Sequence, residues 1–146
     1  MRLIDKQRLF LGDFAALVRL AQDDLGYFVK GGETLRGEQQ AEWNATHCRV
    51  WLAGERCERV KADHGKGWAD KHDFRPIGSR NSLHCVGLAG DLLILEDGGT
   101  RISNDRRKYE KLGSFWKAIR PANCWGGDFE GFPDLGHFSR EHGGRR

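Results

Sequence analysis

The sequence predicts a single mixed domain in which helices pack beside short strands. Residues 6–25 repeat apolar side chains every three or four positions, as an amphipathic helix does. A continuous apolar run at 92–95 is followed by two glycines at 98–99, which is typical of a buried strand entering a hairpin. A second helical pattern occupies 105–119. Both kinds of element are therefore expected within one chain.

Length and composition bound the class of protein. The chain has 146 residues, which suits one domain with a real core, and it is 38% hydrophobic and 31% charged, as soluble globular proteins are. No apolar run approaches the roughly 18 residues of a membrane span. The 20 glycines predict long loops and tight turns. A disordered chain and an integral membrane protein are both disfavoured.

The charge and the N-terminus give weaker indications. A net charge of +3 suits a protein that works on an anionic polymer, although it is too small to show one, and no nucleic-acid partner is expected. The first eight residues lack the uninterrupted apolar core of a secretory signal. We therefore expect the product to stay in the cytoplasm until something else releases it.

The N-terminal third alternates helical and extended patterns. The apolar positions of the first helix are Leu9, Phe10, Phe14, Leu17, Val18, Ala21 and Leu25. Gly26 is a stop signal, 27–29 is a strand candidate, and the glycines at 31–32 predict a turn. Residues 39–46 look helical again.

Residues 47–80 are interrupted by glycine and proline and predict an irregular loop, a lid or a substrate wall. The candidate metal ligands in this part are His47, Cys48, Cys57, His64 and His72, but their spacing matches no common metal site. No C-x-x-C motif occurs, so we expect four reduced thiols: Cys48, Cys57, Cys85 and Cys124. Pairing of Cys48 with Cys57 is the alternative.

The second helix is predicted over 105–119, after a returning strand at 101–103, with Asn104 or Asp105 as its cap and Pro121 at its end. Its core face carries Tyr109, Leu112, Phe115, Trp116 and Ile119. Its other face carries Arg106, Arg107, Lys108, Lys111 and Lys117. Such a face is either solvated or in contact with an anionic surface.

A histidine and an aspartate seven residues apart, His84 and Asp91, stand just before and at the edge of the predicted strand. Two ligands of one metal bring their donor atoms within roughly 4 Å, whereas seven extended residues span roughly 23 Å. A shared ion therefore requires a bend, which Gly87 and Gly90 permit.

The second half of the site is predicted near the C-terminus, where Asp134 and His137 are three residues apart. His137 completes His84 and Asp91 as a set of three ligands, and a catalytic zinc keeps three protein ligands plus water. Asp134 then stands where a general base for that water belongs. Each histidine taken alone is more typical of a structural or solvated residue than of a metal ligand.

Three motifs follow one another along the chain: S-x-H-x-x-G-x-A-x-D at 82–91, W-G-G-D-F at 125–129 and D-x-x-H-F at 134–138. Together they resemble the zinc peptidases of the D-Ala-D-Ala carboxypeptidase and L-alanyl-D-glutamate endopeptidase family, and most closely its single-domain phage endolysins. The pattern G-E-x-x-R at 32–36 also matches. The resemblance covers most of the chain except about 47–76.

This resemblance implies a small α+β fold, like that of hedgehog and D-Ala-D-Ala peptidases, with an antiparallel sheet packed against helices. It implies one peptidase domain over 1–146 with a loop insertion at 47–76, and zinc held at the sheet by His84, Asp91 and His137. Zinc is favoured, although residue types alone admit other divalent metals.

The resemblance also implies roles for further residues. Asp134 matches the catalytic acid/base, where many relatives have glutamate, with Asp128 or Glu130 as alternatives. Arg36 matches the arginine that orients substrate; a surface salt bridge is its alternative. Ser82 is expected to contact substrate or to support the metal site. Trp125 is expected to contact substrate or to pack under the site, and Asp128 is expected to contact substrate.

The function implied is zinc-dependent hydrolysis of the peptidoglycan stem peptide, at the L-alanyl-D-glutamate bond, by a monomeric endolysin. It would be made in the host cytoplasm and act in the periplasm or cell wall after release. The basic helix face and Arg145-Arg146 would then contact anionic wall or lipid without membrane insertion. The alternatives are a D-Ala-D-Ala carboxypeptidase and a non-catalytic wall-binding phage protein on the same fold.

Overall fold

A computed structural model of the chain describes residues 1–32 and 82–146. The helices and strands in these ranges are α1 Leu3–Arg19, β1 Val29–Gly31, β2 Ala89–Glu96, β3 Arg101–Ile102, α2 Arg106–Ile119, β4 Asn123–Trp125 and β5 His137–Arg140. Short turns of tighter or wider helix lie at Leu20–Asp24, Leu83–Val86, Asp97–Gly99 and Gly126–Asp128. The predicted mixture of helices and strands is confirmed.

The sheet is antiparallel throughout its described strands. Its order is β1-β2-β5-β4, and β3 also pairs with β2. Because side chains alternate between the faces of a strand, the pairing register assigns each residue to one face. Leu92, Ile94 and Phe138 point towards the two helices and are buried. Asp91 and His137 stand on the opposite face, so the candidate site lies away from the core.

Helix α1 confirms the first amphipathic pattern, although it begins at Leu3 rather than at residue 6. Its regular part gives way to a wider turn at Leu20–Asp24, and Gly26 then adopts a left-handed conformation that glycine accepts at no steric cost. The predicted core positions Phe10 and Leu17 are buried. The helix thus forms one wall of the core and ends where the sequence indicated.

Helix α2 is capped by Asp105, whose side chain accepts a hydrogen bond from the backbone nitrogen of Arg107. Two side chains on its core face, Tyr109 and Trp116, form hydrogen bonds to the sheet. The hydroxyl of Tyr109 accepts from the Ile94 nitrogen, and the Trp116 indole donates to carbonyls of β4 and β5. These bonds attach the helix to three strands of the sheet.

The outer face of α2 is basic in sequence but largely ion-paired in the structure. Four of its five basic side chains contact carboxylates, in the pairs Arg106–Glu110, Arg107–Asp105, Lys108–Glu96 and Lys117–Asp128. Paired charges attract an anionic surface less than free ones. The structure therefore favours the solvated alternative for this face.

Two strand boundaries differ from the prediction, and in both cases the strand pairs with a segment that is far away in the sequence. The first strand lies at Val29–Gly31 instead of 27–29, because it pairs with Ile94, Leu93 and Leu92. Asp91 lies inside β2 and not at its edge, since Ala89 and Gly90 pair with β5. Gly90 is therefore extended instead of bent. Its hydrogen leaves room for Phe14, which lies 3.0 Å from where a side chain would begin.

The hairpin predicted after β2 is confirmed, with β2 and β3 joined through Asp97–Gly99 and Gly98 and Gly99 at positive φ. Cys85 and Cys124 are free thiols. No helix in the described ranges is long and apolar enough to cross a membrane. The predicted helix at 39–46, the insertion at 47–76, and the thiols and histidines within it lie outside the described residues.

Candidate metal centre

His84 is delivered by a single tight helical turn, Leu83–Val86. The Ser82 hydroxyl caps this turn by accepting a hydrogen bond from the His84 backbone nitrogen at 3.3 Å. Gly87 closes the turn at φ 62°, as the sequence predicted for the bend between the two ligands. The chain then enters β2, which carries Asp91 back towards the histidine.

Asp91 and His137 are brought together by the sheet. They are directly opposed partners in the antiparallel pair of β2 and β5, and directly opposed residues share a face. A single register thus places a carboxylate beside an imidazole from a segment 46 positions later in the chain. A slip by one residue would move either ligand to the core face.

The three predicted ligands form a nearly equilateral triangle. His84 Nε2 lies 3.2 Å from His137 Nδ1 and 3.3 Å from Asp91 Oδ1, and His137 Nδ1 lies 3.4 Å from that oxygen. Zinc bonds of about 2.0–2.1 Å at tetrahedral angles place neighbouring ligand atoms about 3.3 Å apart. The triangle therefore has the size that one tetrahedral zinc ion requires.

The chemistry of the cluster also fits a cation. Asp91 Oδ1 is buried without a hydrogen-bond partner among the described residues, and so is His84 Nδ1. Burial by itself raises the pKa of Asp91. The approach of His137 and His84 outweighs burial and holds this pKa well below its usual range. The carboxylate is thus an anionic ligand at neutral pH.

Access to the triangle is one-sided. The side chains of His84 and His137 are 3% and 11% exposed, whereas that of Asp91 is 25% exposed. A catalytic zinc keeps one coordination position for water or substrate, while a structural zinc is closed by four protein ligands. Within residues 1–32 and 82–146 the cluster offers three protein ligands, one of them partly exposed, and this favours a catalytic centre.

Glycines bring the backbone close to the ligands, and these contacts were not foreseen from the sequence. A side chain at Gly32 would lie 2.8 Å from the Asp91 Cβ, and one at Gly126 would lie 2.8 Å from the His137 Cβ. Phe129 flanks His137, with ring centroids 5.6 Å apart. Gly126 and Phe129 belong to the W-G-G-D-F motif, so this motif forms part of the packing around the candidate metal ligand His137.

Asp134 lies in the turn that leads into β5. Its backbone carbonyl accepts from the His137 nitrogen at 3.2 Å, and its own nitrogen donates to the Gly126 carbonyl at 2.9 Å. The side chain is exposed and is not one of the three ligands. It stands near the centre without belonging to it, which is compatible with the predicted role of base. That role stays a prediction.

The other predicted site residues have mixed placements. Trp125 is buried on the helix side of the sheet, and its indole donates to the Leu135 carbonyl, which fits packing under the site. Asp128 forms an ion pair with Lys117, and Glu130 is exposed. Arg36 lies outside the described residues. Substrate contacts of Ser82, Trp125, Asp128 and Arg36 remain predictions.

Comparison with known proteins agrees with this geometry. Residues 77–140 match the sequence profile of a family described as D-alanyl-D-alanine carboxypeptidase, and this segment contains all three ligands. The match supports membership of that peptidase family. No curated protein matches the chain.

The fold has a counterpart of known structure. The crystal structure of the Serratia marcescens L-Ala D-Glu endopeptidase ChiX is similar to the chain, with a TM-score of 0.51 and 19% sequence identity. The likeness covers 97% of this chain and 87% of that chain. At this identity it shows the fold. The family match and the ligand triangle together support a metallopeptidase.

Proposed function

We propose that this chain is a zinc-dependent peptidoglycan hydrolase that cleaves the stem peptide at its L-alanyl-D-glutamate bond. The observation that carries the proposal is the triangle of His84, Asp91 and His137, open to solvent on one side. The choice of bond is supported by the likeness to an L-Ala D-Glu endopeptidase and by the motif resemblance.

The residues divide the chemistry between them. His84, Asp91 and His137 would hold a divalent ion, which would supply a Lewis acid for the scissile carbonyl and would lower the pKa of water to about 7. Asp134 accepts the proton of the attacking water and returns it to the leaving amine. Arg36 is the group proposed to steady the oxyanion. Phe129 packs beside the His137 imidazole, and Gly126 leaves room for the His137 Cβ.

A second candidate is a D-Ala-D-Ala carboxypeptidase, which the description of the matching family favours. Both reactions hydrolyse an amide with the same ligand set, so the metal centre does not separate them. A non-catalytic wall-binding protein on this fold is the alternative outside enzymes. The exposed carboxylate of Asp134 next to the ligand turn favours an enzyme.

The biological setting follows from the motif resemblance to single-domain phage endolysins. We propose a monomeric endolysin that is made in the host cytoplasm and reaches the periplasm or cell wall after release. Its partner is the peptidoglycan stem peptide. Contact with anionic wall or lipid would be electrostatic and weak, since most of the basic residues of α2 are ion-paired.

The test is digestion of purified peptidoglycan by the zinc-loaded protein, with identification of the new ends. A new amino terminus on D-glutamate supports the endopeptidase, and released D-alanine supports the carboxypeptidase. Asp134→Asn should retain one zinc per chain and lose roughly 100-fold to 10,000-fold in rate, as removal of a general base does.

Asp23→Asn is the matched control, because it makes the same change in an exposed aspartate that follows α1 and has no predicted role in the site. It should keep most of the activity. Undiminished hydrolysis by Asp134→Asn would remove Asp134 from the mechanism. A wild-type protein that binds zinc and wall but releases no fragment would identify a binding protein instead.

A further inference from the structure

The face of the sheet that carries the metal centre has a distinctive distribution of charge. The described strands contain three lysine or arginine residues: Lys30, Arg101 and Arg140. Lys30 is opposite Leu93 in the register, and Leu93 is two residues from Asp91 on the same strand. The alternation of side chains therefore places Lys30 on the face of Asp91.

The other two cations are on the helix side of the sheet and are already paired. Arg101 is opposite Glu96 and contacts both Glu96 and Asp97, while Arg140 is buried against Asp13. Lys30 is exposed and has no carboxylate partner within 1–32 and 82–146. Among the described strands it is thus the one free cation on the metal face.

Lys30 also lies within reach of a substrate at the metal. Lys30 lies on the strand next to β2, and its partner Leu93 is two residues from Asp91. The Cα atoms of Lys30 and Asp91 are therefore about 8 Å apart. The flexible four-carbon stem of Lys30 carries three hydrogen-bond donors across part of that distance. The backbones of the two segments are also hydrogen-bonded beside the metal centre, where the Gly32 nitrogen donates to the Asp91 carbonyl at 2.7 Å. The positions of Lys30 and the ligands are therefore coupled.

The candidate substrates share one charged group next to the reacting bond. In the stem peptide the D-glutamate is linked onward through its side chain, so its main-chain carboxylate is free. That carboxylate is attached to the carbon that bears the scissile nitrogen. A terminal D-alanine carries a carboxylate at the same position. Either reaction thus brings an anion within one residue of the metal.

We propose that Lys30 binds this carboxylate and selects substrates that carry it. The inference rests on the proposed peptidoglycan hydrolysis but holds for either bond. It makes Lys30 a specificity-determining residue, separate from the proton transfer of Asp134. It also distinguishes Lys30 from Arg36, whose proposed target is the oxyanion.

The experiment compares two muropeptides that differ in one group: one with D-glutamate, the other with its main-chain carboxylate converted to the amide. The zinc-loaded wild type should prefer the carboxylate. Lys30→Ala should lose roughly 5-fold to 30-fold in kcat/KM on the carboxylate substrate, mainly through KM, and little on the amide. Lys30→Arg should restore most of the preference, because it restores the charge.

Lys111→Ala is the matched control, since it removes an exposed lysine from the far side of α2. It should leave the preference unchanged. A Lys30→Ala variant that keeps the wild-type preference, or that loses equally on both substrates, overturns the proposal.

A binding measurement separates this inference from the proposed reaction. Zinc-loaded Asp134→Asn, with and without Lys30→Ala, is titrated with the same two muropeptides. Weaker binding of the carboxylate form alone supports the role of Lys30, even if the cleaved bond is not the one proposed. Equal affinities in the two proteins overturn it, whatever the activity assay shows.

Discussion

Two buried charged clusters lie on opposite faces of the sheet near β5, and they differ in what completes them. On the helix side, Asp13 of α1 accepts hydrogen bonds from Arg140 of β5 and from Arg120 after α2, the latter at 2.8 Å. On the other face, Asp91 meets His84 and His137. Both clusters join segments that are distant in sequence.

The difference lies in the balance of donors and acceptors. A guanidinium is always charged and supplies several N–H donors, so the Asp13 carboxylate is satisfied inside the protein. Within the described residues the second cluster has no guanidinium; two imidazole nitrogens and a carboxylate oxygen converge within 3.4 Å of one another, which is an arrangement that a cation can complete. The first cluster is therefore suited to stabilising the fold, and the second has the residue types and size of a metal site. A buried acid alone does not indicate which outcome applies.

The largest effects are expected when the aspartate of each cluster is replaced. Asp91→Asn should weaken zinc binding by more than about 100-fold, because even the loss of a partner outside the ligand set costs 10-fold to 100-fold. Asp13→Asn should keep zinc binding and cost about 3–5 kcal/mol of unfolding free energy, since it leaves two guanidinium groups uncompensated. Zinc titration and urea unfolding measure the two effects.

The expected pattern is a crossover. Zinc should raise the melting temperature of Asp13→Asn but no longer that of Asp91→Asn. If Asp91→Asn bound zinc like the wild type, the three-ligand interpretation would be wrong. If Asp13→Asn unfolded like the wild type, the helix-side cluster would contribute no net stability.

A smaller effect is expected from the glycine beside His137. Gly126→Ala puts a methyl group against the Asp134 carbonyl oxygen and 2.8 Å from the His137 Cβ, so the backbone of the turn must move. We expect weaker zinc binding together with a loss of about 1–3 kcal/mol of unfolding free energy, as overpacking costs. The readouts are again zinc titration and urea unfolding.

Gly12→Ala is the control for this change. Gly12 lies inside α1 with nothing within 4 Å of an added methyl group, so alanine there should stabilise the helix by roughly 0.5–1 kcal/mol. If the two substitutions changed the unfolding free energy equally, the close contact at Gly126 would not contribute to stability.

The smallest effect concerns a third, partly exposed cluster, in which Glu96 contacts Lys108 and Arg101. The hydrogen bond from Lys108, followed by that from Ser103, lowers the pKa of Glu96 from 4.5 to about 2. A lowered acid pKa contributes stability above its ordinary value, and that contribution is lost as the pH falls towards 2. Glu96→Gln should therefore lose less melting temperature between pH 5 and pH 2.5 than the wild type.

Melting curves of both proteins over this pH range provide the measurement. Glu96→Gln melts below the wild type at pH 7 if the paired carboxylate contributes, and the difference narrows on acidification. Parallel curves would assign no pH-dependent stability to this cluster, in agreement with the small net value of most surface ion pairs.

The sequence by itself determined the local elements and the set of candidate ligands. Helical periodicity located α1 and α2, and Asp105 was correctly among the candidate caps. The motif around His84 and Asp91 identified the residues that the structure brings together with His137. These features depend on spacing along a short stretch of chain, and spacing is visible in a sequence.

Only the tertiary structure decided how distant segments meet. The register of Asp91 with His137 extended β2 back to Ala89, and it depends on a partner strand that no local pattern specifies. The close approach of Gly126 and the orientation of Lys30 have the same origin. Pairing and packing are set by the whole fold because they minimise the free energy of all contacts together, and no single stretch encodes them.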